Sequence, residues 1–130
     1  MPSETTGKER SGPVSAWARL LRIPNLATVP GDVLAGYCLA GLATGDSGPF
    51  QLPALIGISI CLYAGGIVLN DWFDRHADSS EHPDRPLPRG LISIRAAGIA
   101  GWGLIATALM ISLLAGKTAL ALALPLAFTI

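Results

Sequence analysis

Three apolar runs of membrane-crossing length constrain this chain more than anything else in it. Leu26 to Thr44 is apolar apart from Asp32, and neither Leu52 to Leu69 nor Ala96 to Ala115 contains a charge. Each approaches the roughly 20 residues that a helix needs to cross a bilayer. A soluble chain this short has too little interior to hide three such helices. The 130 residues are 51% hydrophobic and 14% charged, and the apolar residues come in blocks rather than at amphipathic spacing. The predicted fold class is therefore an all-α, multi-pass transmembrane helical bundle with spans at about 26–44, 52–69 and 96–115.

A fourth run begins at Thr118 and is still apolar at Ile130. No polar flank closes it, so the chain is expected to be the N-terminal part of a longer protein. Residues 1–16 are polar, rich in Ser, Thr, Gly and Glu, and without the apolar centre of a signal peptide. They are expected to form a flexible tail.

Charge distribution sets the expected orientation. Lys8, Arg10, Arg19 and Arg22 precede the first span, Arg75, Arg85, Arg89 and Arg95 lie between the second and third, and the 45–51 connection has no positive residue. The positive-inside rule places the N-terminus and the 70–95 loop in the cytoplasm. Cys38 and Cys61 each lie in an apolar run with no partner at metal-ligand spacing, and read as small hydrophobic residues. Gly36, Gly41, Gly57, Gly65, Gly66 and the pair Ala97 and Gly101 offer small surfaces where helices can approach closely. No nucleic-acid partner is expected; the partner implied by composition is membrane lipid.

The functional signal is Asn70-Asp71-Trp72-Phe73-Asp74-Arg75-His76-Ala77-Asp78, directly after the second run. On a helix, positions 71, 74 and 78 fall within roughly 60° of one another, with Asn70 beside them. Two carboxylates about 6 Å apart repel by roughly 3 kcal/mol at an effective dielectric of about 20, so the row calls for a cation. Oxygen ligands without thiolate or paired histidine suit Mg²⁺, which is commonly held by one or two carboxylates while bridging substrate phosphates. The competing reading is a solvated helix end whose acids pair with Arg75, Arg85 and Arg89. His76 and His82 read as solvated. Asp32, just after Pro30, is either a substrate-contacting group or a side chain bonded to backbone beside a proline kink.

Three prolines within Pro83-Asp84-Arg85-Pro86-Leu87-Pro88 forbid a continuous helix and predict a rigid, mostly extended loop. Folded over the bundle mouth, it brings Arg85 and Arg89 toward the carboxylates. Arginine forks opposite metal-binding acids make a plausible diphosphate clamp.

Asn70-Asp71-x-x-Asp74-x-x-x-Asp78, the following Pro83-Asp84-Arg85-Pro86-Leu87-Pro88-x-Gly90, and the upstream Arg22-Ile23-Pro24-Asn25 together resemble the UbiA-type intramembrane prenyltransferases. The resemblance runs from the first span to the start of the third. It implies a bundle of nine spans around a cavity, in which Mg²⁺ holds the diphosphate of an isoprenoid donor. Residues 17–130 would then be the N-terminal part of a transmembrane prenyltransferase domain. Carried over by position, Asn70, Asp71, Asp74 and Asp78 would be metal and diphosphate residues, with Asp71 and Asp74 catalytic and Arg85, Arg89 and Asp32 contacting substrate. The implied activity is transfer of a prenyl group, an alkyl group other than methyl, to an aromatic or lipid-like acceptor. The family's second aspartate-rich motif has no counterpart here, so the chain alone is expected to be inactive. Two other readings remain at this point. One is a non-catalytic membrane scaffold or transport subunit with a structural divalent ion. The other is a phosphatidyl-type transferase, whose D-G-x-x-A-R lead-in is absent.

Overall fold

The computed structural model describes residues 12–44 and 51–116, together with Ala119, 123–125 and Ala127. The expected tail up to residue 11, the 45–50 connection and most of the fourth run lie outside the described residues. All regular structure among the described residues is helical: α1 (Pro13–Leu20), α2 (Ile23–Leu26), α3 (Val29–Thr44), α4 (Gln51–Phe73), α5 (Arg75–Glu81) and α6 (Ile94–Ala115).

Among the described residues two helices, α4 with 23 residues and α6 with 22, are long and apolar enough to cross a membrane. They lie side by side along the second and third expected spans. The first expected span differs. Instead of one helix from Leu26, the chain turns at Ala27–Thr28 and α3 begins at Val29 with 16 residues. Pro30 accounts for this, because its ring fixes φ and lacks an N–H, which the first helical turn tolerates and the interior does not. The proline thus sits at a helix start and kinks no interior. Pro24 plays the same part at the start of α2.

The tail boundary also moves. α1 begins at Pro13, and its Ala16 and Leu20 are buried against Val68, Leu87, Ile92 and Ala97. That cluster ties the short N-terminal helix to the α4 and α6 ends on the acidic-motif side. A second cluster of Ile58, Leu62, Leu69, Ile105, Ala108 and Ala123 fills the bundle further along. Large apolar side chains elsewhere on α3 and α6, among them Leu39, Leu42, Ile99, Trp102 and Leu114, are exposed. A hydrocarbon solvent accepts such a surface, whereas water does not.

Close approach of α4 and α6 depends on two glycines. A methyl group on Gly65 would lie 2.8 Å from the Ile105 Cδ1 and 3.2 Å from the Gly101 carbonyl oxygen, and one on Gly101 would lie 2.8 Å from Leu69. Both contacts are below van der Waals separation, as expected for small residues that let membrane helices touch. Gly36, by contrast, has open space around it. Gly101→Leu is expected to force the helices apart at a cost of about 2 kcal/mol or more. Thermal unfolding of detergent-solubilised protein measures this; an unchanged midpoint contradicts the contact.

Candidate active site

The site forms where α4 ends. α4 stops at Phe73, Asp74 has φ −79° and ψ 0°, and α5 starts at Arg75. Helical spacing survives the junction, since the Asp74 amide donates to the Asn70 carbonyl and the Asp78 amide to the Asp74 carbonyl, at 2.9 and 2.8 Å. Asp71 and Asp78 are both buried, whereas Asp74 and Asn70 are exposed. Burial of two carboxylates is costly unless each is paired.

Arg85 provides the pairing. Its Nη1 donates to Asp78 Oδ2 at 2.6 Å and lies 3.5 Å from Asp71 Oδ1. The segment that carries it differs from the extended loop expected from its prolines. The amides of Arg85, Arg89, Gly90 and Leu91 donate to the carbonyls of His82, Arg85, Leu87 and Pro86. These are consecutive tight turns, closed by Gly90 at φ +68°, a conformation that glycine adopts without steric cost. Proline fixes its own φ near the value that turns require, so three of them serve a coiled path as well as a straight one. Leu87 is buried in the cluster with Leu20 and Val68, which holds the turns down.

The three expected arginines separate. Arg85 joins the acids. Arg75 turns away, donating to the Trp72 carbonyl at 2.7 Å with its guanidinium 4.9 Å from the Trp72 ring centre. Arg89 is exposed and forms no ion pair among the described residues. Asn70 Nδ2 donates to Asp74 Oδ2 at 3.1 Å, which links the two exposed members of the motif. His82, more than half exposed, has its Nδ1 3.6 Å from Asp78 Oδ1. Asp32 lies on the first turn of α3 and is exposed, with no contact to the acid cluster among the described residues.

Sequence spacing missed one participant. Arg22, read there as a topology charge and as the first residue of its four-residue motif, places Nη2 3.6 Å from Asp71 Oδ1. It is also the one non-glycine residue with positive φ among those described, at φ 49° and ψ 54°. A side chain in that region costs about 1–2 kcal/mol, and such strain concentrates where function fixes a residue. The signal available in the sequence was the position of Arg22 directly before Ile23-Pro24, where a helix must restart.

Asp71 Oδ1 therefore has two guanidinium groups at 3.5 and 3.6 Å, and the same buried atom has no hydrogen-bond partner. Among the described residues, no three His, Cys, Asp or Glu side chains converge closely enough to cage a metal ion by themselves. An apolar groove of 270 Å³ lies beside α3 and α4, lined by Val33, Gly36, Tyr37, Leu55, Ile58 and Leu62 among others.

A model of the UbiA prenyltransferase family matches residues 33–130, three quarters of the chain and all of the acidic motif. The chain belongs to the UbiA prenyltransferase family. This is a membrane-embedded family of prenyl-transferring enzymes, in agreement with the two membrane-length helices. The chain is similar to digeranylgeranylglyceryl phosphate synthases of archaea. That of Natronomonas pharaonis is 34% identical over 110 residues, covering 85% of this chain and 39% of the relative. That of Methanopyrus kandleri is 33% identical over 108 residues, 83% of this chain and 38% of the relative. That of Methanoculleus marisnigri is 38% identical over 112 residues, with 85% and 38% coverage. The chain thus spans well under half the length of the curated relatives it matches. No solved structure matches it significantly.

Proposed function

We propose that this protein transfers an isoprenoid group from a prenyl diphosphate to a hydroxyl of a lipid-like acceptor of the glyceryl phosphate class, with Mg²⁺ as the cofactor. The observation that carries this reading is the buried pair Asp71 and Asp78 around Arg85, at the end of a membrane-length apolar helix. A carboxylate and arginine site in that place suits an amphiphile with an anionic head and a hydrocarbon tail. The acceptor class is supported by the names of the relatives. Their product carries two geranylgeranyl groups on glyceryl phosphate, so the last group to be added goes to a glyceryl phosphate that already bears one.

The donor set fits a divalent ion. It is entirely oxygen, Asp71 Oδ1 is buried with an unfilled hydrogen-bonding position, and among the described residues too few ligands converge to cage an ion without substrate. That combination suits Mg²⁺ held by one or two carboxylates and completed by phosphate oxygens. Asn70, Asp71, Asp74 and Asp78 are the residues proposed to hold it. When bound, the ion supplies positive charge to the diphosphate as the allylic carbon–oxygen bond breaks.

Arg85, with Arg22 beside it, binds and orients the diphosphate through forked N–H donors. Arg89 and Asp32 are proposed to contact substrate outside this centre. The apolar helix walls exclude water from the allylic cation until the acceptor hydroxyl oxygen bonds to its carbon and the departed diphosphate takes up the hydroxyl proton. The groove residues Leu55 to Leu62 lie about 14–24 Å along α4 from Asp71, which favours a long tail over a five-carbon one. The N-terminus and the 70–95 segment are proposed to be cytoplasmic, which gives soluble cations direct access to the site.

The test uses the full-length protein in lipid nanodiscs with labelled geranylgeranyl diphosphate and two acceptors, a monoprenylated glyceryl phosphate and a hydroxybenzoate. Label is expected on the glyceryl phosphate. Chelation of divalent ions should lower the rate by about a hundredfold or more, with Mg²⁺ restoring it. Transfer that ignores chelation refutes the metal assignment, and transfer to the aromatic ring refutes the acceptor class. Metal binding without transfer to either acceptor favours a scaffold.

A further inference from the structure

Around Asp71 and Asp78, two negative charges already face two positive ones, Arg22 and Arg85. The two buried acids are thus matched charge for charge by the two arginines without any ion, while the exposed Asp74 beside them accepts only from Asn70. A divalent cation arriving alone must push both guanidinium groups off Asp71 and leaves the cluster with excess positive charge. A cation arriving with a diphosphate brings a polyanion that gives the displaced arginines new partners.

Resting on the proposed function, we infer that Arg22 and Arg85 are stand-in cations that keep metal out of Asp71 until a diphosphate accompanies it, so that metal and diphosphate bind as one unit. The two arginines are built for this to different degrees. Arg85 is anchored by its 2.6 Å bond to Asp78 and keeps that partner when it leaves Asp71. Arg22 has a side chain 47% exposed and touches Asp71 at 3.6 Å without a hydrogen bond, so it is the one free to swing. Its backbone is fixed: the Arg22 amide donates to the Arg19 carbonyl, and the Arg22 carbonyl accepts from the amides of Asn25 and Leu26. That left-handed turn aims the guanidinium across to α4 from a separate helix. Arg22 is a positioning residue in this scheme, acting on the metal through Asp71 and on the diphosphate as its partner after exchange.

Linkage makes the idea measurable, because diphosphate must raise metal affinity by the factor by which metal raises diphosphate affinity. Mn²⁺ serves as the spectroscopic metal and inorganic pyrophosphate as the probe, with the full-length protein and no turnover. In wild type, pyrophosphate is expected to raise Mn²⁺ affinity by about tenfold or more. In Arg22→Gln, Mn²⁺ alone should bind several-fold tighter, and the pyrophosphate enhancement should shrink to about threefold or less. Wild-type values for both quantities overturn the stand-in role. Arg22→Lys keeps a point charge but loses the fork, so it should still oppose lone Mn²⁺ while losing part of the enhancement. If the glutamine variant does not yield monodisperse protein, the lysine variant decides, and an undiminished enhancement overturns the inference. Asp71→Asn separates the two levels. If it leaves Mn²⁺ binding intact, the metal assignment itself falls; if it abolishes binding while the Arg22 variants behave as wild type, the stand-in role alone falls.

Discussion

Asp71→Asn is expected to lower prenyl transfer by about a thousandfold or more, equivalent to about 4 kcal/mol of transition-state stabilisation, with the helices intact. The substitution keeps the shape of the side chain and removes its charge. What is lost is the buried oxygen that faces Arg22 and Arg85 and has no hydrogen bond of its own. An amide oxygen there is a weaker ligand for a hard cation and brings an N–H₂ group toward two guanidinium groups. Folding should survive, because Arg85 retains Asp78 and the apolar clusters of α4 do not involve position 71. Radiolabelled transfer by full-length protein, with circular dichroism to verify helicity, measures the effect. Activity within tenfold of wild type removes Asp71 from the machinery. Asp74→Asn is a useful companion: Asp74 is exposed and paired with Asn70, so any loss of activity there cannot be attributed to an unpaired buried charge.

Arg85→Ala is expected to be the most damaging single change to the fold of the site, destabilising it by about 3 kcal/mol. Two carboxylates whose side chains are 6% and 7% exposed share this one guanidinium. Removing it leaves both in a poorly hydrated place with mutual repulsion, and Arg22 can relieve Asp71 alone. The value sits at the lower end of what broken buried pairs cost because the Arg85 side chain is 30% exposed and partly screened. The turns of residues 82–91 should loosen as well, since Arg85 is their polar tie to α4 while Leu87 is their apolar one. Thermal unfolding in detergent, with proteolysis at the 82–91 segment, measures both. A double-mutant cycle with Asp78→Asn provides the stricter test: the second substitution should cost less in Arg85→Ala than in wild type, by at least about 1 kcal/mol. Strict additivity would mean that the 2.6 Å contact contributes nothing.

Both effects follow from the concentration of charge at the end of an apolar helix. There the two buried acids are neutralised internally, by Arg22 and Arg85. Arg75 illustrates the difference between charge and position. It is adjacent to Asp74 in sequence, yet its guanidinium lies on Trp72, whose indole N–H donates in turn to the Ile94 carbonyl at 3.1 Å. Trp72 thus ties the end of α4 to the start of α6, and Arg75 packs on its ring.

Charge-free runs such as Leu52 to Leu69 and Ala96 to Ala115 needed no tertiary information to be recognised as membrane-length helices, because backbone polar groups in hydrocarbon must be satisfied within the helix. The spacing of Asp71, Asp74 and Asp78 was legible for the same reason, since helical periodicity fixes directions around a single axis. Arg85, within the proline-rich segment, was likewise readable as a partner for the acids, and its Nη1 donates to Asp78 Oδ2 at 2.6 Å. Tertiary structure alone decided which arginine meets which acid. Arg22 and Arg85 reach Asp71 from elements far away in the chain, and that meeting depends on where α1 and α2 turn and how the 82–91 turns coil. Local rules restrict dihedral angles residue by residue, and several chain paths satisfy them equally. The burial of Ala16, Leu20, Leu87 and Ile92 in one apolar cluster selects among those paths, and it depends on all of them at once.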